Sequence, residues 1–241
     1  MKIVLVLLLS LIPLFSQANL PSKIIGGNDM VAVNAEASNI PLKYKSIVNA
    51  FGLLSMACTA THIGNGYVLT AGHCFWVGSE VAQDLPCADI TVEWGFREKL
   101  PAYLKSTCER VVFAQRSTTN DFAILKVFPV PDAFIEVELS KTATAGDSLT
   151  VFSHPQELSL RWSGTCVVES ALDPLLSAST LQHKCDTNPG SSGATILDAT
   201  TNKIVGIHNG GRSSAQSSGM NYGTFATSPE LLNALKQLGF R

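Results

Sequence analysis

The sequence predicts an all-β protein of the sandwich or barrel type. Short runs rich in β-branched and aromatic residues recur along the chain, separated by glycine, serine, asparagine and proline. An amphipathic helical pattern occurs only near the C-terminus, and no segment repeats. Many short strands with turn residues between them are typical of sandwiches and barrels. The predicted strands span residues 67–71, 89–94, 122–128, 148–152, 164–168, 194–197 and 203–207.

A proline-rich segment divides the chain into two similar halves. Pro129 and Pro131 lie within residues 128–132, and two prolines so close together leave little room for a central strand. We therefore expect this segment to link an N-terminal barrel or sandwich of residues 24–128 to a C-terminal one of residues 129–241.

The C-terminus is predicted to form one amphipathic helix. Ser228 stands at the N-cap and Pro229 at the first helical position, where its missing N–H costs nothing. Leucines then follow at helical spacing, at positions 231, 232, 235 and 238. By contrast, residues 212–219 are rich in serine and glycine and are predicted to form a mobile surface loop.

Composition excludes some classes of function. Of the 241 residues, 46% are apolar and 15% are charged, with 17 basic against 19 acidic side chains. An apolar fraction this high is typical of a globular fold rather than a disordered chain. Because the charges nearly balance, no basic face is expected and nucleic acid is not a predicted partner.

The N-terminus resembles a secretory signal peptide. Lys2 precedes an apolar run over residues 3–15. Ser16 and Ala18 supply small side chains at the two positions that a signal peptidase recognises. The run is interrupted by Pro13 and is shorter than the roughly 20 apolar residues that a bilayer requires. We expect cleavage after Ala18, and hence a secreted or periplasmic protein that is not held in a membrane once residues 1–18 are removed.

All six cysteines follow this segment, and an even number in an exported chain predicts disulfides. Six cysteines allow about 15 pairings, so the spacing alone leaves the connectivity open. Pairing of sequence neighbours predicts Cys58–Cys74, Cys87–Cys108 and Cys166–Cys185. No C-x-x-C or H-x-x-x-H spacing occurs, and no metal site is expected.

Three short motifs contain residues suited to nucleophilic catalysis. His73 lies in Thr-Ala-Gly-His-Cys at residues 70–74, directly after a predicted strand. Asp121 opens the apolar run at 122–125, which would place its carboxylate at a buried strand edge. Ser192 lies between small residues in Gly-Ser-Ser-Gly, where a substrate could approach the backbone. Each motif alone has an ordinary structural explanation, but together they occur in the order His, Asp, Ser.

With these motifs, the chain resembles the chymotrypsin-like (trypsin-fold) serine endopeptidases over residues 24–241. The resemblance implies two antiparallel six-stranded β-barrels of chymotrypsin type with a C-terminal α-helix. It further implies that Ser192 is the nucleophile, that His73 is the general base, and that Asp121 orients His73. Backbone N–H groups of Gly190 and Ser192 would form the oxyanion hole. The order of the motifs excludes an α/β-hydrolase, and this chemistry requires no cofactor.

Within the family, residues 185–193 and 205–211 are most similar to the bacterial glutamyl endopeptidases. The resemblance implies that Thr187 and His208 bind a glutamate or aspartate side chain at P1, the residue before the cleaved bond. Asn209, Gly210 and Gly211 would pair with the substrate backbone as an added strand, although Asn-Gly is equally a common hairpin turn.

Asp186 points to the opposite specificity. It lies six residues before Ser192, where trypsins carry the aspartate that selects lysine or arginine. An aspartate on the pocket floor would repel a glutamate side chain and attract a cation. Cleavage after lysine or arginine therefore stays open as an alternative.

Residues 23–27, Lys-Ile-Ile-Gly-Gly, resemble the activation site of trypsin-like zymogens. Residues 19–23 would then be a short propeptide, and Ile24 the mature N-terminus. In trypsins that terminus pairs with an aspartate before the nucleophile, whereas Ser191 occupies this position here and carries no charge.

The sequence thus predicts a secreted, monomeric serine endopeptidase that acts on proteins or peptides through an acyl-enzyme. A non-catalytic double-barrel binding protein on the same scaffold is the alternative from another class. The remaining histidines, His62, His154 and His183, are interpreted as structural.

Overall fold

A computed structural model describes residues 23–75, 81–170, 172–212 and 219–241. The predicted signal peptide, most of the predicted propeptide and most of the predicted loop at 212–219 lie outside these residues. Among the described residues, no helix is both long and apolar enough to cross a membrane.

The strands form two antiparallel sheets. β1 (Val31–Ala32) belongs to the second sheet, although it lies in the first half of the chain. The first sheet has the order β5-β7-β6-β2-β3-β4-β8, and β7 also pairs with β8. Its strands are β2 (Phe51–Leu54), β3 (Thr59–Gly64), β4 (Tyr67–Thr70), β5 (Ala82–Leu85), β6 (Thr91–Trp94), β7 (Leu104–Arg116) and β8 (Asp121–Phe128). Pairing of β7 with both β6 and β8 closes six strands into a barrel, with β5 added alongside β7.

The second sheet has the order β1-β10-β9-β12-β13-β14-β11. Beyond β1, its strands are β9 (Ser148–Ser153), β10 (Arg161–Val167), β11 (Leu181–His183), β12 (Thr195–Asp198), β13 (Ile204–Arg212) and β14 (Met220–Phe225). A single bridge between Val168 and His183 brings β11 back to the end of β10. Six strands therefore enclose the second core, and the predicted double-barrel fold is confirmed.

Among the residues that the structure describes, helical structure is confined to short segments. The C-terminal helix α1 (Pro229–Gln237) begins where the sequence predicts, and it buries Leu231 and Leu235. Ser228 occupies the N-cap position, but its side chain makes no capping hydrogen bond. Four 3₁₀ turns complete the helical elements of the described residues: Leu42–Tyr44, Val48–Ala50, Gly72–Cys74 and Pro155–Glu157.

Apolar packing joins the two barrels. Phe51 from the first barrel stacks on Phe152 from the second, with ring centroids 4.9 Å apart, and Tyr44 meets the same ring at 5.3 Å. Leu231 and Leu235 of α1 complete this buried cluster. Because the cluster contains residues of both barrels and the helix, it fixes the crevice between the barrels in which the site lies.

The three disulfides are Cys58–Cys74, Cys87–Cys108 and Cys166–Cys185. The prediction from sequence neighbours is therefore confirmed. Cys58–Cys74 ties the start of β3 to the turn that carries His73, directly beside the site.

Candidate active site

His73 and Asp121 lie together because their strands are neighbours. β4 pairs antiparallel with β8, so the turn after β4 meets the first residue of β8. The Asp121 carboxylate accepts two hydrogen bonds from His73: one from the ring at Nδ1, at 2.7 Å, and one from the backbone N–H, at 2.8 Å. Gly72 is required at this approach, because a Cβ there would lie 2.0 Å from the Gln115 carbonyl oxygen.

Two residues of the second barrel hold the backbone of Asp121. The hydroxyl of Thr224 accepts the Asp121 backbone N–H at 2.9 Å, and the Asn209 side-chain amide donates to the Asp121 carbonyl. Thr224 also donates to Asn209 Oδ1 at 2.9 Å. The orientation of His73 therefore depends on both barrels.

The segment that carries Ser192 packs against the strands leading to His73. The Ser192 carbonyl accepts the Thr59 N–H at 2.8 Å. Gly193 adopts φ +83°, and a Cβ there would lie 2.1 Å from the Thr70 hydroxyl oxygen. This close approach explains the glycine after the serine. Within the described residues, the Ser192 hydroxyl makes no hydrogen bond to the His73 ring; nucleophile–base bonds are often long in ligand-free sites and tighten with substrate.

The turn before Ser192 has its carbonyl groups directed into the protein. The Pro189 oxygen accepts the Gln156 N–H at 2.6 Å, and the Gly190 oxygen accepts the Thr59 hydroxyl at 2.9 Å. Since N–H and C=O point in opposite directions across a trans peptide, the Gly190 N–H faces away from Gln156. The N–H groups of Gly190 and Ser192 have no acceptor in the described part of the chain.

Ser191 holds this turn with neutral contacts. Its hydroxyl is fully buried, lies 2.9 Å from the Ser153 hydroxyl and accepts the Asn188 N–H at 3.2 Å. Where trypsins use a charge, two hydroxyls and one amide hold the turn in this protein.

Thr187 and His208 are both buried in the second barrel. The Thr187 hydroxyl has no hydrogen-bond partner among the described residues. His208 Nδ1 lies 3.3 Å from Nε2 of His183, which is also buried. Burial, followed by electrostatic interactions with His183, His73 and Lys23, holds the pKa of His208 well below its ordinary value. Burial also lowers the pKa of His183, to about 3. Both imidazoles are therefore neutral at physiological pH.

Asp186 is turned toward the N-terminal segment. Its two carboxylate oxygens accept the backbone N–H groups of Ile25, at 2.9 Å, and Asp29, at 2.7 Å, and the residue is only 2% exposed. Both oxygens thus have backbone partners, which argues against a role as the cation-binding group of a trypsin-like pocket.

Asn209 to Gly211 lie within β13 and do not form a hairpin turn. His208 pairs with Gly223 and Gly210 with Tyr222, so Asn209 is the extra residue of a β-bulge. The last pairing of β13 with β12 is Ile207 with Thr195, and beyond His208 the strand pairs, among the described residues, only with β14. In the described part of the chain, the other edge of residues 209–211 has no strand partner, and the Gly211 carbonyl oxygen accepts a hydrogen bond from Lys23 Nζ.

A cavity of about 690 Å³ adjoins the His73–Asp121 pair. Leu175 and Leu176 supply apolar lining, and Arg116, Arg212 and Tyr222 supply polar lining. The sequence interpretation missed these residues, as it missed Thr224 and the contacts of Lys23. No local motif marks them, because they reach the site from distant parts of the chain.

Two groups of potential metal ligands occur among the described residues, Cys58–His73–Cys74 and Cys166–His183–Cys185. All four cysteines are disulfide-bonded, so they offer no thiolate to a metal.

The family follows from a comparison with known domains. Residues 58–207, more than half of the chain, match the model of the trypsin-like peptidase domain. The chain belongs to this family. It is a serine peptidase, and its substrates are proteins or peptides. No curated protein is similar enough in sequence to count as a relative.

Solved structures share the fold at low sequence identity. A Glu endopeptidase aligns with a TM-score of 0.64 at 18% identity, covering 90% of this chain and 100% of its own. The Rv3671c protease from M. tuberculosis aligns with a TM-score of 0.56 at 18% identity, covering 87% and 98%. A serine endoprotease from Yersinia pestis gives 0.54 at 16% identity, covering 83% and 67%.

Proposed function

We propose that this protein is a secreted endopeptidase that cleaves peptide bonds through Ser192, His73 and Asp121. The observation that carries the proposal is the double hydrogen bond from His73 to Asp121. With Nδ1–H donated to the carboxylate, Nε2 is left as the basic nitrogen. The packing of Gly193 against Thr70, three residues before His73, supports the proximity of Ser192 to that ring.

The proposed reaction has two halves. The Ser192 oxygen bonds to the substrate carbonyl carbon while its proton passes to His73 Nε2. The C–N bond then breaks, His73 returns the proton to the leaving amine, and an acyl-enzyme remains. Water, deprotonated by the same ring, attacks the ester, and the released proton returns to Ser192. N–H groups of Gly190 and Ser192 would stabilise both oxyanions, and one such donor is worth about 100-fold to 1000-fold in rate.

The proposed P1 preference is for glutamate or aspartate, bound by Thr187 and His208. A buried Thr187 hydroxyl without a protein partner supports this, since such a group costs stability unless a ligand satisfies it. The engagement of both Asp186 oxygens with the backbone N–H groups of Ile25 and Asp29 supports an orientation of this carboxylate toward the N-terminal segment. The fold shared with a Glu endopeptidase is consistent with the same preference.

The location is proposed to be extracellular or periplasmic. Three disulfides are stable only where thiols are not kept reduced. Removal of residues 1–18 by a signal peptidase completes this part of the proposal.

A phosphonylating serine-hydrolase probe tests the catalytic proposal. The processed protein should become labelled, and Ser192→Ala should abolish labelling, while Ser46→Ala, at an exposed serine of the first barrel, should not change it. Absence of labelling in correctly folded protein would favour the non-catalytic binding protein. A peptide library would test the preference at P1, and cleavage only after lysine and arginine would reject Thr187 and His208 as carboxylate ligands.

A further inference from the structure

Lys23 lies among the residues of the proposed P1 pocket. Its backbone forms an antiparallel bridge with Thr187, and its carbonyl accepts the Asn221 side-chain amide at 3.1 Å. Its side chain extends along Gly211, where an added Cβ would lie 3.1 Å from Lys23 Cδ. The ammonium donates to the Gly211 carbonyl oxygen at 2.5 Å. These contacts bring residue 23 to positions 164–198 residues further along the chain.

In the part of the chain that the structure describes, the ammonium of Lys23 has no anionic partner. Among the described residues, no carboxylate lies within ion-pair distance of it. The Gly211 carbonyl accepts from only one of the three N–H donors of the Lys23 ammonium. Burial and the nearby charge of Arg212 both lower the pKa of Lys23, and the charge of Lys23 is felt in turn at His208. Arg212 Nε lies 3.6 Å from Asp173 Oδ2, whereas no carboxylate of the described residues forms an ion pair with Lys23.

We propose that Lys23 stays in the active protein and supplies the positive charge that binds the acidic side chain at P1. This inference rests on the proposed peptidase activity and on its proposed acidic preference. Thr187 and a neutral His208 can only donate hydrogen bonds to a carboxylate, whereas the ammonium of Lys23 adds a net charge beside them. A substrate carboxylate would accept hydrogen bonds from the N–H groups of the Lys23 ammonium that do not bind Gly211.

Retention of Lys23 limits where the protein can be processed. Cleavage after Lys23, as the zymogen-like motif suggests, would separate the ammonium and its contacts from the fold. Processing of the active protein should therefore end before residue 23, and Lys23 should be present in it. An active protein that contains Lys23 and one that begins at Ile24 differ in mass, and mass spectrometry of the active protein can distinguish them.

The test compares peptides that differ only in glutamate or glutamine at P1, cleaved by the parent protein and by Lys23→Met. We expect kcat/KM for the glutamate peptide to fall about tenfold in Lys23→Met, equivalent to about 1.4 kcal/mol, and kcat/KM for the uncharged glutamine peptide to fall much less. Lys23→Arg should retain most of the preference because it keeps the charge. Lys45→Met, at an exposed lysine of the first barrel, is the matched control and should leave both rates unchanged.

Labelling by the phosphonylating probe separates the possible failures. If Lys23→Met labels like the parent but keeps the full preference for glutamate over glutamine, the inference is wrong while the proposed peptidase stands. The inference is also wrong if a protein that begins at Ile24 keeps the full preference for glutamate over glutamine. If the parent itself neither labels nor cleaves any peptide, the proposed function has failed. A melting curve for each variant confirms that the compared proteins are folded, and Lys23→Gln repeats the test with a polar replacement.

Discussion

Asp121 holds His73 at two points, the ring at Nδ1 and the backbone N–H. Two bonds to one carboxylate fix both the position and the rotation of the imidazole. Nδ1 thereby carries a proton that it donates to the Asp121 carboxylate, and the unprotonated Nε2 is left to accept the proton of a nucleophile.

Asp121→Asn should therefore inactivate the enzyme without unfolding it. An asparagine can still accept the backbone N–H of His73, but its amide would donate to Nδ1 and force the proton onto Nε2. A ring in that tautomer cannot act as the base, and we expect kcat to fall by about 10⁴-fold. Steady-state kinetics at neutral pH would measure the loss, and a melting curve would show whether the fold is kept. A loss of less than tenfold would contradict the proposed role of Asp121.

The hydroxyls of Ser191 and Ser153 lie 2.9 Å apart beneath the turn that carries the proposed oxyanion hole, where trypsins have a charged contact. Ser191→Ala would leave the buried Ser153 hydroxyl without its Ser191 partner and would remove the Ser191 hydroxyl that accepts the Asn188 N–H. We expect a loss of roughly 1–3 kcal/mol in the free energy of unfolding, measured by urea denaturation. Probe labelling should also slow, because the turn is held less firmly.

A double-mutant cycle with Ser153→Ala is the control for this pair. If the hydroxyls contact each other as the structure has them, the double variant should lose less stability than the sum of the single variants. Strict additivity would show that the two serines act independently.

Much of this fold was predictable because its signals are local. Strands such as β4 and β8 alternate or run apolar between turn residues, and the disulfides join sequence neighbours across short loops. β7 was missed because polar and charged side chains such as Lys105, Glu109 and Arg110 alternate along it and hide the apolar signal. β2 and β11 are short strands, and their burial depends on partners far away in sequence.

The site was predictable to the extent that its residues lie in motifs. His73 and Asp121 are found bonded, and the catalytic roles of both stay predictions together with that of Ser192. Asn209 was interpreted as part of a substrate-binding edge or a turn, and the structure shows that its side chain also supports Asp121. This contact between Asn209 and Asp121 depends on a β-bulge and on the junction of the two barrels. Neither feature can be predicted from the local sequence.

Asp186 offers a test of the alternative specificity. Asp186→Ala removes the acceptor of the Ile25 and Asp29 N–H groups, so we expect the protein to lose roughly 1–3 kcal/mol of stability. Its preference at P1 should not change, since the carboxylate already has two backbone partners. Asp89→Ala, at an exposed aspartate, is the matched control. Selective loss of cleavage after lysine and arginine in Asp186→Ala would instead establish a trypsin-like pocket.

Buried histidines should make the folded protein sensitive to mild acid. Burial lowers the pKa of His154 to about 4, whereas an unfolded histidine titrates near 6.5. Between these values the unfolded chain binds a proton that the folded protein does not, so stability falls as the pH falls below about 6.5. From pH 7.5 to pH 5, the loss for one such histidine is about 2 kcal/mol. His154→Gln removes this titration, and its free energy of unfolding should fall about 2 kcal/mol less over that range than the parent's. Urea denaturation at both pH values measures the difference, and equal losses in the two proteins would show that His154 is protonated in the fold.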